Sequence, residues 1–169
     1  MESQLAITTI NLVKDSLIRN AETIACAESV TAGHLQVALS LADNAMDYFQ
    51  GGITAYNGGQ KTKHLGIDPI HAEKDNCVSR QVAEQMALGV STMFNADYGV
   101  SITGYASPVP EEGVLELFAY CAVAYKGKVC LHEKLRTDAG NPVSARIDFT
   151  NQILQLLLQV VQRNPQPVI

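Results

Sequence analysis

The alternation of helical and strand-like segments is the feature that most constrains how this chain can fold. Apolar residues recur at helical spacing from Ile7 to Ile18, and the short apolar run "ETIACAES" then predicts a buried strand. The alternation continues: "TAGHLQVALSLA" predicts a helix, "YFQGGITAY" a strand, and "GGQKTKHLG" a short helix that ends at Gly66. Ser79 is placed to cap the next helix, "RQVAEQMALGVSTMFN". Such alternation is typical of strands connected by helices.

The second half of the chain predicts how the sheet is completed. "DYGVSITG" reads as a strand, "YASPVPEEGVL" as an exposed loop, and "ELFAYCAVAYKGKVCLHEKLRT" as a hairpin that turns near Lys126–Gly127. A final helix begins near Pro142. We therefore expect an α/β fold, a three-layer α/β/α sandwich with a mixed sheet, as one domain over residues 1–163 with a frayed tail at 164–169. A chain of 169 residues is long enough for one such core.

Composition and charge exclude several classes of function. The net charge is −5 and Lys and Arg do not cluster, so a nucleic-acid partner is not expected. No apolar run reaches membrane-spanning length, and the charged N-terminal segment is unlike a signal peptide, which predicts a cytoplasmic protein with no membrane partner. Cys26, Cys77, Cys121 and Cys130 form no C-x-x-C pair and are expected to be reduced core residues. The four histidines show no metal-binding spacing, so neither a metal nor a cofactor is expected.

Ligands of such sheets bind beyond the carboxyl ends of the strands, which directs attention to the segments after Cys26, Tyr56 and Thr103. "AESVTAG" ends a predicted strand and opens a helix, so its hydroxyls and the first backbone N–H groups could hold an anion or a carboxamide. The alternative is that Ser29 or Thr31 only caps the helix. "SITGYASP" leaves the same choice between a ligand site and an ordinary glycine turn.

The stretch "AYNGGQK" places a tyrosine and a lysine on either side of a flexible bend. Lys61 could act as a general base if burial lowered its pKa and a hydroxyl lay within reach. The alternative is that Tyr56 packs at the end of a strand while Lys61 is a solvated helix residue.

Taken together, "ACAESVTAG", "GGITAYNGGQKTKHLGI", "CVSRQVAEQMALGV" and "ADYGVSITGYASP" resemble the C-terminal domain of CinA, the competence and damage-inducible protein family. The resemblance is to its stand-alone form, the nicotinamide-nucleotide amidohydrolases. These enzymes hydrolyse the carboxamide of nicotinamide mononucleotide to nicotinic acid mononucleotide and ammonia, using a serine, a tyrosine and a lysine without metal. By this resemblance Tyr56 and Lys61 are the catalytic tyrosine and lysine. The strand-end positions and the resemblance together predict substrate-binding roles for Ser29, Thr31, Gly33, Thr103, Gly104, Ser107 and Arg146.

The chain departs from the family pattern at several loops. The serine of the family's G-S-S turn aligns with "NAMDYF", so Ala45 and Met46 stand where a nucleophile is expected. The family's T-G-G is Thr31-Ala32-Gly33 here, and its Asn-Glu pair ahead of the lysine is replaced by Gly58-Gly59.

Three hypotheses follow from these departures. The first is a family member with weak or lost deamidase activity that retains a site for a pyridine nucleotide. The second is an active amidohydrolase in which Ser29 or Ser107 serves as a relocated nucleophile beside Lys61. The third is a non-catalytic interaction protein. The resemblance also implies a homo-oligomer.

Overall fold

A computed structural model describes residues 4–163, and the tail predicted to be frayed lies outside this range. Its strands are β1 (Ile24–Glu28), β2 (Phe49–Thr54), β3 (Tyr98–Gly104), β4 (Leu117–Tyr125) and β5 (Lys128–Thr137). Its helices are α1 (Ile7–Arg19), α2 (His34–Ser40), α3 (Gly58–Leu65), α4 (Pro69–Lys74), α5 (Arg80–Met93) and α6 (Pro142–Arg163). Every helix and strand that the sequence predicts is present. Helix α4 was not predicted, although Asp68 caps it and Pro69 occupies its first turn.

The five strands form one mixed sheet in the order β2-β1-β3-β4-β5. Strand β1 is parallel to both β2 and β3, whereas β4 is antiparallel to its neighbours β3 and β5. This arrangement brings the carboxyl ends of β1, β2 and β3 to one edge of the sheet. Ligand sites of α/β sheets are commonly found at such an edge.

Helices cover both faces of the sheet and confirm the three-layer prediction. Side chains of α1, α2 and α6 bury one face in a core that includes Leu17, Leu35, Tyr98, Phe149 and Ile153. On the other face, apolar side chains of α3, α4 and α5 pack together over β1. Burial of this apolar area is the main favourable contribution to folding.

Close packing of α3 against α5 sets the position of the helix that carries Lys61. A β-carbon added at Gly89 would lie 2.2 Å from the carbonyl oxygen of Leu65, so only glycine permits this approach. Asn57 caps the start of α3 by accepting a hydrogen bond from the backbone N–H of Gln60, and Gly66 ends the helix with a φ of 68°.

The structure also qualifies the expectation that all four cysteines are core residues. All four are free thiols, and Cys26, Cys77 and Cys121 are buried. Cys130 is exposed, because it lies on the edge strand β5. No helix within residues 4–163 has the length and hydropathy needed to cross a bilayer.

Candidate active site

A cavity of about 300 Å³ opens at the carboxyl edge of the three parallel strands. Segments that follow β1, β2 and β3 contribute to its wall, together with Arg146 near the start of α6. Of the residues predicted from the sequence, it brings together Ser29, Tyr56, Lys61, Gly104, Ser107 and Arg146.

Lys61 is a buried cation at the base of this cavity. Its side chain is 2% exposed, and its Nζ donates to Thr103 Oγ1 at 3.0 Å and to the carbonyl oxygen of Cys77 at 3.4 Å. Within the described part of the chain no carboxylate pairs with it. Burial lowers the pKa of Lys61 from 10.5 to about 8, and the nearby Cys77 thiol opposes this change. With a pKa of about 8, about a tenth of the amine is neutral at pH 7 and able to accept a proton, far more than for an ordinary lysine.

The carbonyl of Cys77 is turned towards Lys61 by an unusual loop between α4 and α5. Asn76 and Cys77 have φ values of 46° and 60°, in the left-handed region that non-glycine residues seldom occupy. Consecutive residues of this kind cost free energy and persist where surrounding structure holds them. This loop was not predicted to be part of the site, because its conformation is imposed by the surrounding structure rather than by a local motif.

Ser29 follows β1 directly and lines the same cavity as Lys61. Its backbone N–H is held by the carbonyl of Ile102, whereas its hydroxyl has no hydrogen-bond partner among residues 4–163. The backbone N–H of Val30, the next residue, also has no acceptor in that range. A free hydroxyl followed by a free amide resembles the pairing of a nucleophile with an oxyanion donor.

Thr31 and Gly33 do not line the cavity. The Thr31 hydroxyl donates to Glu28 Oε2 at 2.5 Å, and the N–H of Gly33 donates to the same oxygen at 3.0 Å. Glu28 also accepts the N–H groups of Leu35 and Gln36 at the start of α2. The cap of α2 is thus Glu28, a role that was not predicted although a lone acidic residue ends an otherwise apolar strand.

Some of the remaining predicted residues line the cavity, and one lies behind its wall. Gly104 and Ser107 line the cavity, whereas Thr103 is fully buried behind Lys61. Tyr56 is 63% exposed, so it stands at the mouth. Tyr105, which was not predicted, also lines the cavity, and its ring packs edge-on against Phe118.

Arg146 gives the cavity a second cationic group. Its Nε is buried and, among the residues that the structure describes, lacks a hydrogen-bond partner. A buried guanidinium nitrogen without an acceptor is costly unless a ligand supplies one. Two cations and no carboxylate line the cavity over residues 4–163, although the chain as a whole has a net charge of −5. This distribution favours an anionic ligand.

Ala45 and Met46 lie far from Lys61. They belong to a short 3-10 helix, Ala45–Asp47, that precedes β2, and Met46 is 93% exposed. The carbonyl of Tyr48 binds the N–H of Ile24, so this segment is at the amino ends of the parallel strands. A five-residue strand, about 16 Å long, separates this edge from the cavity. The geometry contradicts the expectation that a hydroxyl at position 45 or 46 would face Lys61.

Within residues 4–163, no group of three or more His, Cys, Asp or Glu side chains is placed to hold a metal ion. The expectation of chemistry without metal or cofactor stays a prediction from the sequence.

Comparisons with known proteins agree with this fold. The family model of the CinA C-terminal domain matches residues 7–161. A CinA-like protein from Rippkaea orientalis is 44% identical over 101 residues, which are 60% of this chain and 24% of that protein. A CinA-like protein from Synechocystis sp. is 45% identical over 101 residues, or 59% and 24% of the two chains. The matched region thus spans about a quarter of the length of these curated relatives.

Solved structures with the same fold come from several bacteria. A CinA superfamily protein from Klebsiella pneumoniae superposes with a TM-score of 0.88 at 21% identity, over 95% of this chain and 100% of that one. A CinA superfamily protein from Escherichia coli superposes with a TM-score of 0.81 at 28% identity, over 95% of each chain.

Proposed function

Because the chain belongs to the CinA C-terminal domain family, we propose that it is an amidohydrolase acting on the carboxamide of nicotinamide mononucleotide, with Ser29 as nucleophile and Lys61 as general base. The observation that carries this proposal is the meeting of a free serine hydroxyl and a buried lysine of lowered pKa in one cavity. Of the two relocated nucleophiles suggested by the sequence, Ser29 is favoured because the unpaired amide of Val30 follows it.

The proposed reaction proceeds through a covalent intermediate. As Ser29 Oγ attacks the carboxamide carbon, its proton passes to the neutral amine of Lys61. The amide of Val30 stabilises the oxyanion, and Tyr56 at the mouth contacts the substrate. Lys61 returns the proton to the leaving nitrogen, so the C–N bond breaks and ammonia departs. Water then attacks the ester carbon as Lys61 takes its proton, and Lys61 passes this proton to Ser29 Oγ as the C–Oγ bond breaks. The nicotinic acid mononucleotide formed loses its carboxyl proton to solvent, and Ser29 and Lys61 return to their starting state.

The substrate phosphate would provide the anion that Arg146 lacks. An anionic group in the cavity would supply an acceptor for the buried Nε. The ring of Tyr105 offers an aromatic surface in the same cavity for the pyridine ring.

Release of ammonia from nicotinamide mononucleotide tests the proposal. We expect turnover by the original protein and a loss of about a thousandfold or more in kcat for Ser29→Ala and for Lys61→Ala. Lys63→Ala is the matched control, because Lys63 is an exposed lysine on the same helix, and it should retain activity. The double variant Ala45→Ser/Met46→Ser should release ammonia at the same rate as the original protein. Silence of the original protein with activity in that double variant would overturn the assignment of Ser29.

Ligand binding without catalysis is the second candidate, and the unpartnered Nε of Arg146 favours it independently of Ser29. Calorimetric titration with nicotinamide mononucleotide and with its acid separates the two functions. Binding of both nucleotides without ammonia release would identify a nucleotide-binding protein, and absence of binding would remove both candidates. Homo-oligomerisation and a cytoplasmic location stay predictions from the sequence, and light scattering tests the former.

A further inference from the structure

Lys61 has two hydrogen-bond partners that also bind each other. Thr103 Oγ1 lies 2.8 Å from the carbonyl oxygen of Cys77, and Lys61 Nζ contacts both oxygens. The three groups come from different parts of the chain, since Thr103 is on β3, Cys77 follows α4, and Lys61 is on α3. All three residues are at least nine-tenths buried, so solvent does not compete for these bonds.

The proton positions in this triangle follow from the chemistry of its members. Two oxygens at 2.8 Å need a hydrogen between them, and only the Thr103 hydroxyl can supply it, because a carbonyl has none. The Thr103 oxygen therefore has no proton left to give to Lys61. It can only accept, so the Lys61 amine must donate to it.

The tetrahedral amine then has a defined orientation. Its nitrogen is bonded to carbon in one direction, donates to Thr103 in a second and to Cys77 in a third. One direction remains, and Lys61 lines the cavity that Ser29 also lines. In the protonated amine this direction holds a hydrogen, and in the neutral amine it holds the lone pair.

We propose that Thr103 is a positioning residue whose hydroxyl, fixed by the Cys77 carbonyl, directs the free tetrahedral position of Lys61 into the cavity towards Ser29. The catalytic consequence of this inference rests on the proposed function, whereas the orientation of the Lys61 amine follows from its hydrogen bonds alone. The strained conformation of Asn76 and Cys77 is consistent with it, because that conformation presents the carbonyl to Thr103.

Thr103→Val tests the proposal, because valine preserves the shape of threonine while removing the hydroxyl. We expect kcat to fall about thirtyfold with KM changed by less than about threefold, since the amine is misoriented while the ligand contacts remain. The pH at which kcat reaches half its plateau should also fall, because the protonated amine loses an acceptor. Thr103→Ser restores the oxygen and should return both quantities to near the original values.

Two results would overturn the proposal. In the first, Thr103→Val keeps the original kcat and pH midpoint. In the second, Thr103→Ser loses as much kcat and shifts the pH midpoint as far as Thr103→Val, which would show that packing alone matters. Ser101→Ala is the matched control, because it also removes a buried hydroxyl from β3, one that donates to Ala83 outside the cavity. It should leave the pH midpoint unchanged.

A titration of Lys61 separates this inference from the proposed function. In protein labelled with carbon-13 at the lysine Cε, the Lys61 signal is assigned by its disappearance in Lys61→Met. Other titrating groups around the cavity are Tyr56, Cys77 and Tyr105, and the lysine signal distinguishes Lys61 from them. We expect Thr103→Val to lower the Lys61 midpoint even if no nucleotide is hydrolysed. An unchanged midpoint would overturn the proposal whether or not the protein is an enzyme.

Discussion

Two ionisable side chains are buried at the same edge of the sheet, and the structure treats them in opposite ways. Glu28 is fully buried at the end of β1, and its carboxylate accepts four hydrogen bonds from the turn and helix that follow it. Lys61 is nearly as buried but has two acceptors, both uncharged and both distant in sequence.

This difference distinguishes a buried charge that stabilises the fold, which we call structural, from one that is available for catalysis or ligand binding. Both oxygens of Glu28 accept hydrogen bonds from the turn and helix that follow it, and the side chain is fully buried, so it fixes the chain that follows β1 and is not open to a ligand. Lys61 pays for its burial with a pKa lowered to about 8, and one position of its amine is left for the cavity. Burial alone therefore indicates little about function, whereas an incompletely satisfied buried charge beside a cavity indicates chemistry.

The largest expected effect is the loss of stability on removing Glu28. Glu28→Ala leaves the Thr31 hydroxyl and three backbone N–H groups without their acceptor, and we expect a loss of about 4 kcal/mol or more. Glu28→Gln should cost less, because one amide oxygen survives. Urea unfolding measures both, with exposed Glu73→Ala as control. Equal stabilities of Glu28→Ala and Glu73→Ala would show that the four bonds contribute nothing.

Burial of Lys61 should lower the stability of the folded protein rather than raise it, by a smaller amount that depends on pH. Its folded-state pKa is lowered, so its burial destabilises the protein below about pH 8, and this penalty disappears as the pH rises from about 8 to 10.5. Lys61→Met lacks the titrating group. We expect the stability of the original protein relative to this variant to rise by up to about 3 kcal/mol over that range, at about 1.4 kcal/mol per pH unit.

Chemical denaturation of both proteins at a series of pH values measures this difference. Other groups that titrate over the same range cancel, since both proteins contain them. A difference that stays constant with pH would mean that the pKa of Lys61 is not lowered by folding.

The comparison also shows how far the sequence could predict the site. Periodicity and turn residues predicted the sheet and the helices around it, because each local pattern agrees with the final fold. Strand ends then predicted that Ser29, Lys61 and Ser107 would meet. The hydrogen-bond partners were less accessible, because Thr31 seemed free to bind a ligand until the carboxylate of Glu28 was seen beside it.

The error at Ala45 and Met46 has a different physical cause. A resemblance aligned these residues with a catalytic turn, but their place in space depends on the start of β2, where the chain is at the amino edge of the sheet. The position of a loop relative to a cavity depends on strand direction, and a local motif carries no such information. The αL pair of Asn76 and Cys77 was likewise invisible in the sequence, because its conformation is imposed by its surroundings.

Thr31 provides the smallest and most specific test of the comparison. If its hydroxyl belongs to the structural charge, Thr31→Val should lower stability by about 2 kcal/mol through loss of a hydrogen bond to a carboxylate, with the KM for nicotinamide mononucleotide unchanged. Thr92→Val, which removes an exposed hydroxyl bound to the Leu88 carbonyl, should cost less than about 0.5 kcal/mol. The initial interpretation of Thr31 as a substrate-binding residue expects the reverse, a raised KM at unchanged stability. Urea unfolding and initial-rate measurements on the same two variants therefore decide whether the Thr31 hydroxyl stabilises the fold through Glu28 or binds substrate in the cavity beside Lys61.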